Sequence, residues 1–152
     1  MDYKIELTKK TKQPVLSVKT RAPVTDLPML CRRIFTGIAA YLSELGEEPA
    51  DAAFVAYYNM DMKDLDLELG FPVSKALAGK GEIQPSFIPE GNQVSCMRKG
   101  SYSATEPAYN EMLEWIGKNG YEPTGASYEF YYNSPSEVPE SELLTKIVFP
   151  LK

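Results

Sequence analysis

Residues Leu45–Asn59 read L-G-E-E-P-A-D-A-A-F-V-A-Y-Y-N, and residues Asn119–Asn133 read N-G-Y-E-P-T-G-A-S-Y-E-F-Y-Y-N. Gly46 aligns with Gly120, Pro49 with Pro123 and Asn59 with Asn133, each pair 74 positions apart. Phe71-Pro72 and Phe149-Pro150 form a further pair at an offset of 78. A stretch that recurs in this way marks a duplicated supersecondary unit. Two such units are expected to pack about a pseudo-twofold axis, with a ligand cleft at their seam. One position breaks the match: Val55 in the first copy is Glu129 in the second.

Outward from the repeat, the flanking segments fit the same plan. Leu27, Leu30, Cys31, Ile34, Ile38, Tyr41, Leu42 and Leu45 recur at helical spacing, which predicts a helix over 25–45. Thr25 or Asp26 can cap it, Pro28 suits its first turn, and Gly46 is placed to end it. A second helix is predicted over 105–118, with Pro107 in its first turn, Gly120 beyond its end, and Tyr109, Met112, Leu113 and Ile116 on one face. Strands are expected at Tyr3–Leu7, Val15–Val18, Ala53–Asn59, Leu65–Leu69, Asn92–Met97, Ser127–Asn133 and Leu143–Phe149. The fold class is therefore α+β: two β-α-β-β modules in tandem, a largely antiparallel sheet, and both helices on one face. Module one covers about 1–73 and module two about 92–152, within a single domain of 152 residues. Residues 74–91, rich in Gly and Pro, read as the connector.

Composition narrows the function. The net charge of −5 argues against a nucleic-acid groove, which shows a clustered basic face. No signal peptide or membrane-spanning run is read, so the expected location is the cytoplasm. Histidine is absent, removing the commonest general base and the Ser-His and Cys-His nucleophile pairs. Cys31 and Cys96 have no metal-ligand spacing; Cys31 lies on the apolar helical stripe and is expected in the core. No metal and no cofactor is expected.

On the strand that contains Glu129, alternate side chains share a face, grouping Ser127, Glu129 and Tyr131. Ala53, Val55 and Tyr57 are their partners in the first copy. Two readings stand. Glu129 is either a solvated residue on a half-exposed sheet, or a carboxylate set among aromatics, in a chain with ten tyrosines. In the second case, one fixed negative charge in an aromatic-lined cavity suits a flat organic cation, through dispersion, cation–π contact and Coulombic attraction. Asp66 and Glu68 share the polar face of their strand and are expected in solvent, although Glu68 and Glu129 together could perform acid–base work if the modules bring them near. Trp115 reads as a partly buried packing residue first and a cavity wall second.

K-G-S-Y from Lys99, L-E-W-I-G-K-N-G-Y-E-P-T-G from Leu113, Y-E-F-Y-Y-N-S-P from Tyr128 and L-L-T-K-I-V-F-P-L from Leu143 together resemble the GyrI-like small-molecule-binding domain. A-Y-Y-N-M-D from Ala56, D-L-E-L-G-F-P-V from Asp66 and G-K-G-E-I from Gly79 extend the resemblance over nearly the whole chain. It implies a fold of two β-α-β-β modules and a pocket glutamate among aromatics that holds lipophilic cations, a role that falls on Glu129. Tyr131 follows as the aromatic on the same strand face, Tyr57 through the internal repeat, and Tyr102 through the K-G-S-Y turn; Trp115 completes the set of candidate ligand-binding residues. Relatives that regulate transcription attach such a domain to a DNA reader, for which this sequence has no residues to spare. The expectation is a stand-alone binding protein for lipophilic, aromatic, cationic small molecules, without direct nucleic-acid or membrane partners. A hydrolase of strained electrophilic rings with Glu129 as base, or a gyrase-inhibitor-like protein with a protein partner, are the alternatives the resemblance leaves open.

Overall fold

A computed structural model describes residues 4–102, 105–134 and 136–152. In chain order the elements are β1 (Ile5–Lys10), β2 (Gln13–Ala22), α1 (Leu27–Glu44), β3 (Ala53–Tyr57), β4 (Leu65–Pro72), β5 (Gln84–Ile88), β6 (Gly91–Lys99), α2 (Glu106–Lys118), β7 (Ser127–Tyr131) and β8 (Leu144–Pro150). The fold is mixed α+β, with both helices where helical periodicity places them. Tyr3, the expected first residue of the first strand, lies outside the described residues.

Two compact units emerge. In the unit Lys12–Pro89 the strands are antiparallel in the order β3-β4-β2-β5. Val55 lies opposite Leu69, and Leu69 opposite Val18, so these three side chains share one face. α1 covers that face: Phe35 on the helix meets Phe71 on β4 edge to face, with ring centroids 5.7 Å apart. Leu30, Ile34, Ile38 and Leu42 form the helix's buried stripe.

The second unit joins β1 to residues 90–152, with antiparallel strands in the order β1-β6-β8-β7. Its core sets Ala108, Met112 and Ile116 of α2 against Val94, Cys96, Ile147 and Phe149 of the sheet. Leu113, expected on the same helical face, is instead 43% exposed.

Two boundaries differ from the sequence expectation. β1 does not pair within residues 1–73; Ile5 lies opposite Cys96 and Lys10 opposite Gly91, along the edge of β6. Nor are residues 74–91 a bare connector, because β5 pairs with β2 from Gln13↔Ile88 to Ser17↔Gln84. Pro85 and Pro14 interrupt any regular pattern there, and proline is tolerated on a pair at the sheet edge. Cys31 is half-buried, whereas Cys96 is the cysteine in a core. Among the described residues, no helix is long and apolar enough to cross a membrane.

Candidate functional site

Glu129 lies opposite Ile147 on β8, and Ile147 opposite Cys96 on β6, so the carboxylate stands on the face that α2 covers. It is half-buried. The Tyr109 hydroxyl, from α2, donates to Glu129 Oε2, and the Tyr131 hydroxyl donates to Oε1 at 2.9 Å. The Tyr102 ring meets Tyr131 edge-on with centroids 5.5 Å apart, and the Tyr109 ring meets Phe149 likewise at 5.4 Å. Among the described residues, no lysine or arginine forms an ion pair with Glu129.

The local sequence explains the placement. Period-two alternation along Ser127–Tyr131 sends Glu129 and Tyr131 to one face, and helical periodicity from Met112 and Ile116 brings Tyr109 to the same core. Arg98, only 3% exposed, donates to the carbonyl oxygens of Gly100 and Ser101 and so ties down the turn that leads into Tyr102. Gly100 itself takes φ of 129°, a backbone that L side chains rarely adopt.

Of the residues singled out from sequence, Glu129, Tyr131 and Tyr102 come together. Trp115 belongs to the same core but stacks on Tyr121, with centroids 6.3 Å apart and rings nearly parallel. Tyr57 lies in the other unit, half-buried and opposite Leu67. Tyr109 is the residue that sequence reasoning did not nominate. Its signal was present: it shares the helical stripe with Met112 and Ile116, and therefore faces the sheet.

Glu68 differs from its expectation. Rather than being solvated, it is 3% exposed and accepts hydrogen bonds from Ser17 Oγ at 2.6 Å and the Tyr58 hydroxyl at 2.5 Å. It lies opposite Ala56, out of step with Leu67, Leu69 and Phe71, so it stands on the sheet face away from α1. Asp66 is more open and pairs with Arg21 at 3.6 Å. Among the described residues, no group of three or more His, Cys, Asp or Glu is placed to hold a metal ion.

A carboxylate braced by two tyrosine hydroxyls, with further rings beside it, can hold an organic cation or draw a proton from water. Known structures share the fold. The C-terminal domain of EcmrR superposes with a TM-score of 0.87 at 23% identity, covering 100% of this chain and 99% of that one. EcmrR in complex with DNA matches at 0.83 and 22%, covering 99% of this chain; this chain spans 57% of that longer one. A hydrolase from Listeria innocua matches at 0.72 and 14% identity, covering 98% and 92%. SAV2435 bound to tetraphenylphosphonium matches at 0.71 and 12%, covering 100% and 94%. At these identities the likeness is one of fold. None of the curated proteins matches the sequence. The sequence itself matches the family of GyrI-like small molecule binding domains across residues 3–152, and the chain belongs to that family.

Proposed function

We propose that this domain binds amphipathic aromatic cations, with Glu129 as the charged anchor and Tyr131, Tyr109 and Tyr102 as the aromatic wall. One observation carries the reading: a half-buried carboxylate is braced by two phenols and, among the described residues, forms no ion pair with a lysine or arginine. A ligand cation supplies the missing charge, and the ring faces add cation–π attraction. That a relative of the same fold is bound to tetraphenylphosphonium, itself an aromatic cation, supports the class of ligand. We also read the two units as copies of one β-α-β-β module, each with an added edge strand; their parallel strand orders support this.

The test is a fluorescence titration of a cationic aromatic dye and its uncharged analogue against wild type and Glu129→Gln. The variant should weaken the cation by about tenfold, equivalent to about 1.4 kcal/mol, and the neutral analogue much less. Equal losses for both dyes in a folded variant would sink the charge-anchor reading.

The same atoms favour a second reading. Glu129 can serve as general base toward water while a tyrosine hydroxyl donates to a leaving group, which makes hydrolysis of an electrophilic ring the alternative. Accumulation of hydrolysed product, absent with Glu129→Gln, distinguishes turnover from binding.

A further inference from the structure

Thr145 on β8 is 1% exposed, and its Oγ1 has no hydrogen-bond partner among the described residues. A buried hydroxyl without a partner is costly, and valine would fill the same space without that cost. The position of this orphan is informative. Thr145 lies opposite Tyr131 on one side and Arg98 on the other, on the α2-covered face that carries Ile147 and Glu129. Glu129 and Thr145 are therefore diagonal neighbours across the β7–β8 pair, roughly 7–8 Å apart along the sheet. The Tyr131 phenol, bonded to Glu129 at 2.9 Å, lies across from Thr145, and Tyr102 rests against it at 41% exposure.

We propose that the Thr145 hydroxyl is a second, neutral anchor of the Glu129 site, accepting a hydrogen bond from an N–H group on the bound aromatic cation. The proposal rests on the cation-binding reading of Glu129 and narrows its ligand class to aromatic cations that carry an amine N–H donor apart from the charged ring nitrogen. Thr145 is 1% exposed and lies opposite Tyr131, so contact with a ligand requires the Tyr131 side chain to shift, and that shift is part of the proposal. Charge then fixes one end of the ligand and the threonine selects the other. A site built to pair a donor rejects an analogue that lacks it more strongly than an apolar wall does.

Proflavine and acridine orange provide the test. Both are flat acridine cations protonated at the ring nitrogen, so both keep a ring N–H; they differ in that proflavine carries exocyclic amine N–H groups that acridine orange replaces with dimethylamino groups. Each is titrated by fluorescence against wild type, Thr145→Val, Thr145→Ser and Glu129→Gln, with melting temperatures measured for all four. The expected result is tighter binding of proflavine by wild type, a preference that Thr145→Val reduces by about five- to tenfold and Thr145→Ser retains. Thr145→Val should melt at or above the wild-type temperature, since it removes an unpaired polar group. If both dyes bind in a Glu129-dependent way but Thr145→Val leaves their ratio unchanged, the second anchor is overturned and the cation site stands. A Thr145→Val protein that unfolds, or melts well below Thr145→Ser, shows that the hydroxyl serves the fold and overturns the proposal as well. If neither dye binds wild type, or both ignore Glu129→Gln, the cation site falls and the anchor falls with it.

Discussion

Glu68 and Glu129 are both glutamates on strands, both hydrogen-bonded to hydroxyl groups, in different surroundings. Glu68 is buried on the face away from α1, where Ser17 and Tyr58 satisfy it. Glu129 is half-buried among tyrosines on the face toward α2. Removing the charge of Glu68 exchanges a charged acceptor for an amide whose N–H group faces two hydroxyls. Glu68→Gln should therefore cost about 1–3 kcal/mol in urea denaturation while leaving the preference for cationic over neutral dyes intact. A stable Glu68→Gln protein that loses charge selectivity would move the anchor away from Glu129. The cysteines give a residue-scale check on packing. Burial pushes the Cys96 thiol above its ordinary range, Glu111 pushes it further, and Arg98 opposes them weakly. A raised thiol pKa means less thiolate near neutrality, so iodoacetamide should modify half-buried Cys31 first. Cys96 should react only as pH climbs past the usual thiol range or the fold opens, which peptide mass spectrometry across a pH series would follow. The sequence exposed Glu129 because its own repeat places Val55 there. It could not expose the burial of Glu68: alternation with Leu67 and Leu69 shows that a face is polar, and not whether anything covers it.

The helices end alike, and their ends explain the two glycines that first revealed the repeat. After α1, Gly46 N–H donates to Ser43 and Glu47 N–H to Leu42; after α2, Gly120 N–H donates to Gly117 and Tyr121 N–H to Ile116. Both glycines take left-handed backbone, at φ of 70° and 78°. This is the Schellman closure, which satisfies carbonyls that the last helical turn leaves open. A side chain has room at Gly120 but not the conformation. Gly120→Ala should destabilise the protein by about 1 kcal/mol, read as a lower urea midpoint with unchanged slope. An unchanged midpoint would mean that the closure adds nothing to stability. Helices were legible for this reason: periodicity, an early proline and a terminal glycine are local signals. β5 was not. Pro85 lies opposite Leu16 and Phe87 opposite Pro14, so neither alternation nor β-propensity marks this edge pairing, which depends on the distant strand β2.

At the scale of the whole chain, sequence repeat and compact units divide the protein at different places. The repeat suggests a cut near residue 73, whereas the units run Lys12–Pro89 and β1 with Glu90–Lys152. The difference comes down to two edge strands. β5 follows the first β-α-β-β run and pairs with β2; β1 precedes everything and pairs with β6. A fragment of residues 1–73 would leave the β2 edge bare and keep β1 without its partner, two unpaired strand edges of the kind that drive association. A fragment of residues 12–89 retains β3, β4, β2, β5 and α1 with all the hydrogen bonds among them. Small domains are marginal, so retaining the β2–β5 pairing should favour fragment 12–89 over fragment 1–73. Fragment 12–89 should give a dispersed amide NMR spectrum and a cooperative melt, and fragment 1–73 a collapsed spectrum with aggregation on size-exclusion chromatography. The reverse ranking would mean that β5 contributes little and that the repeat boundary is also the folding boundary. The expected ranking would make the edge strands, rather than the duplicated segment, the elements that complete each unit.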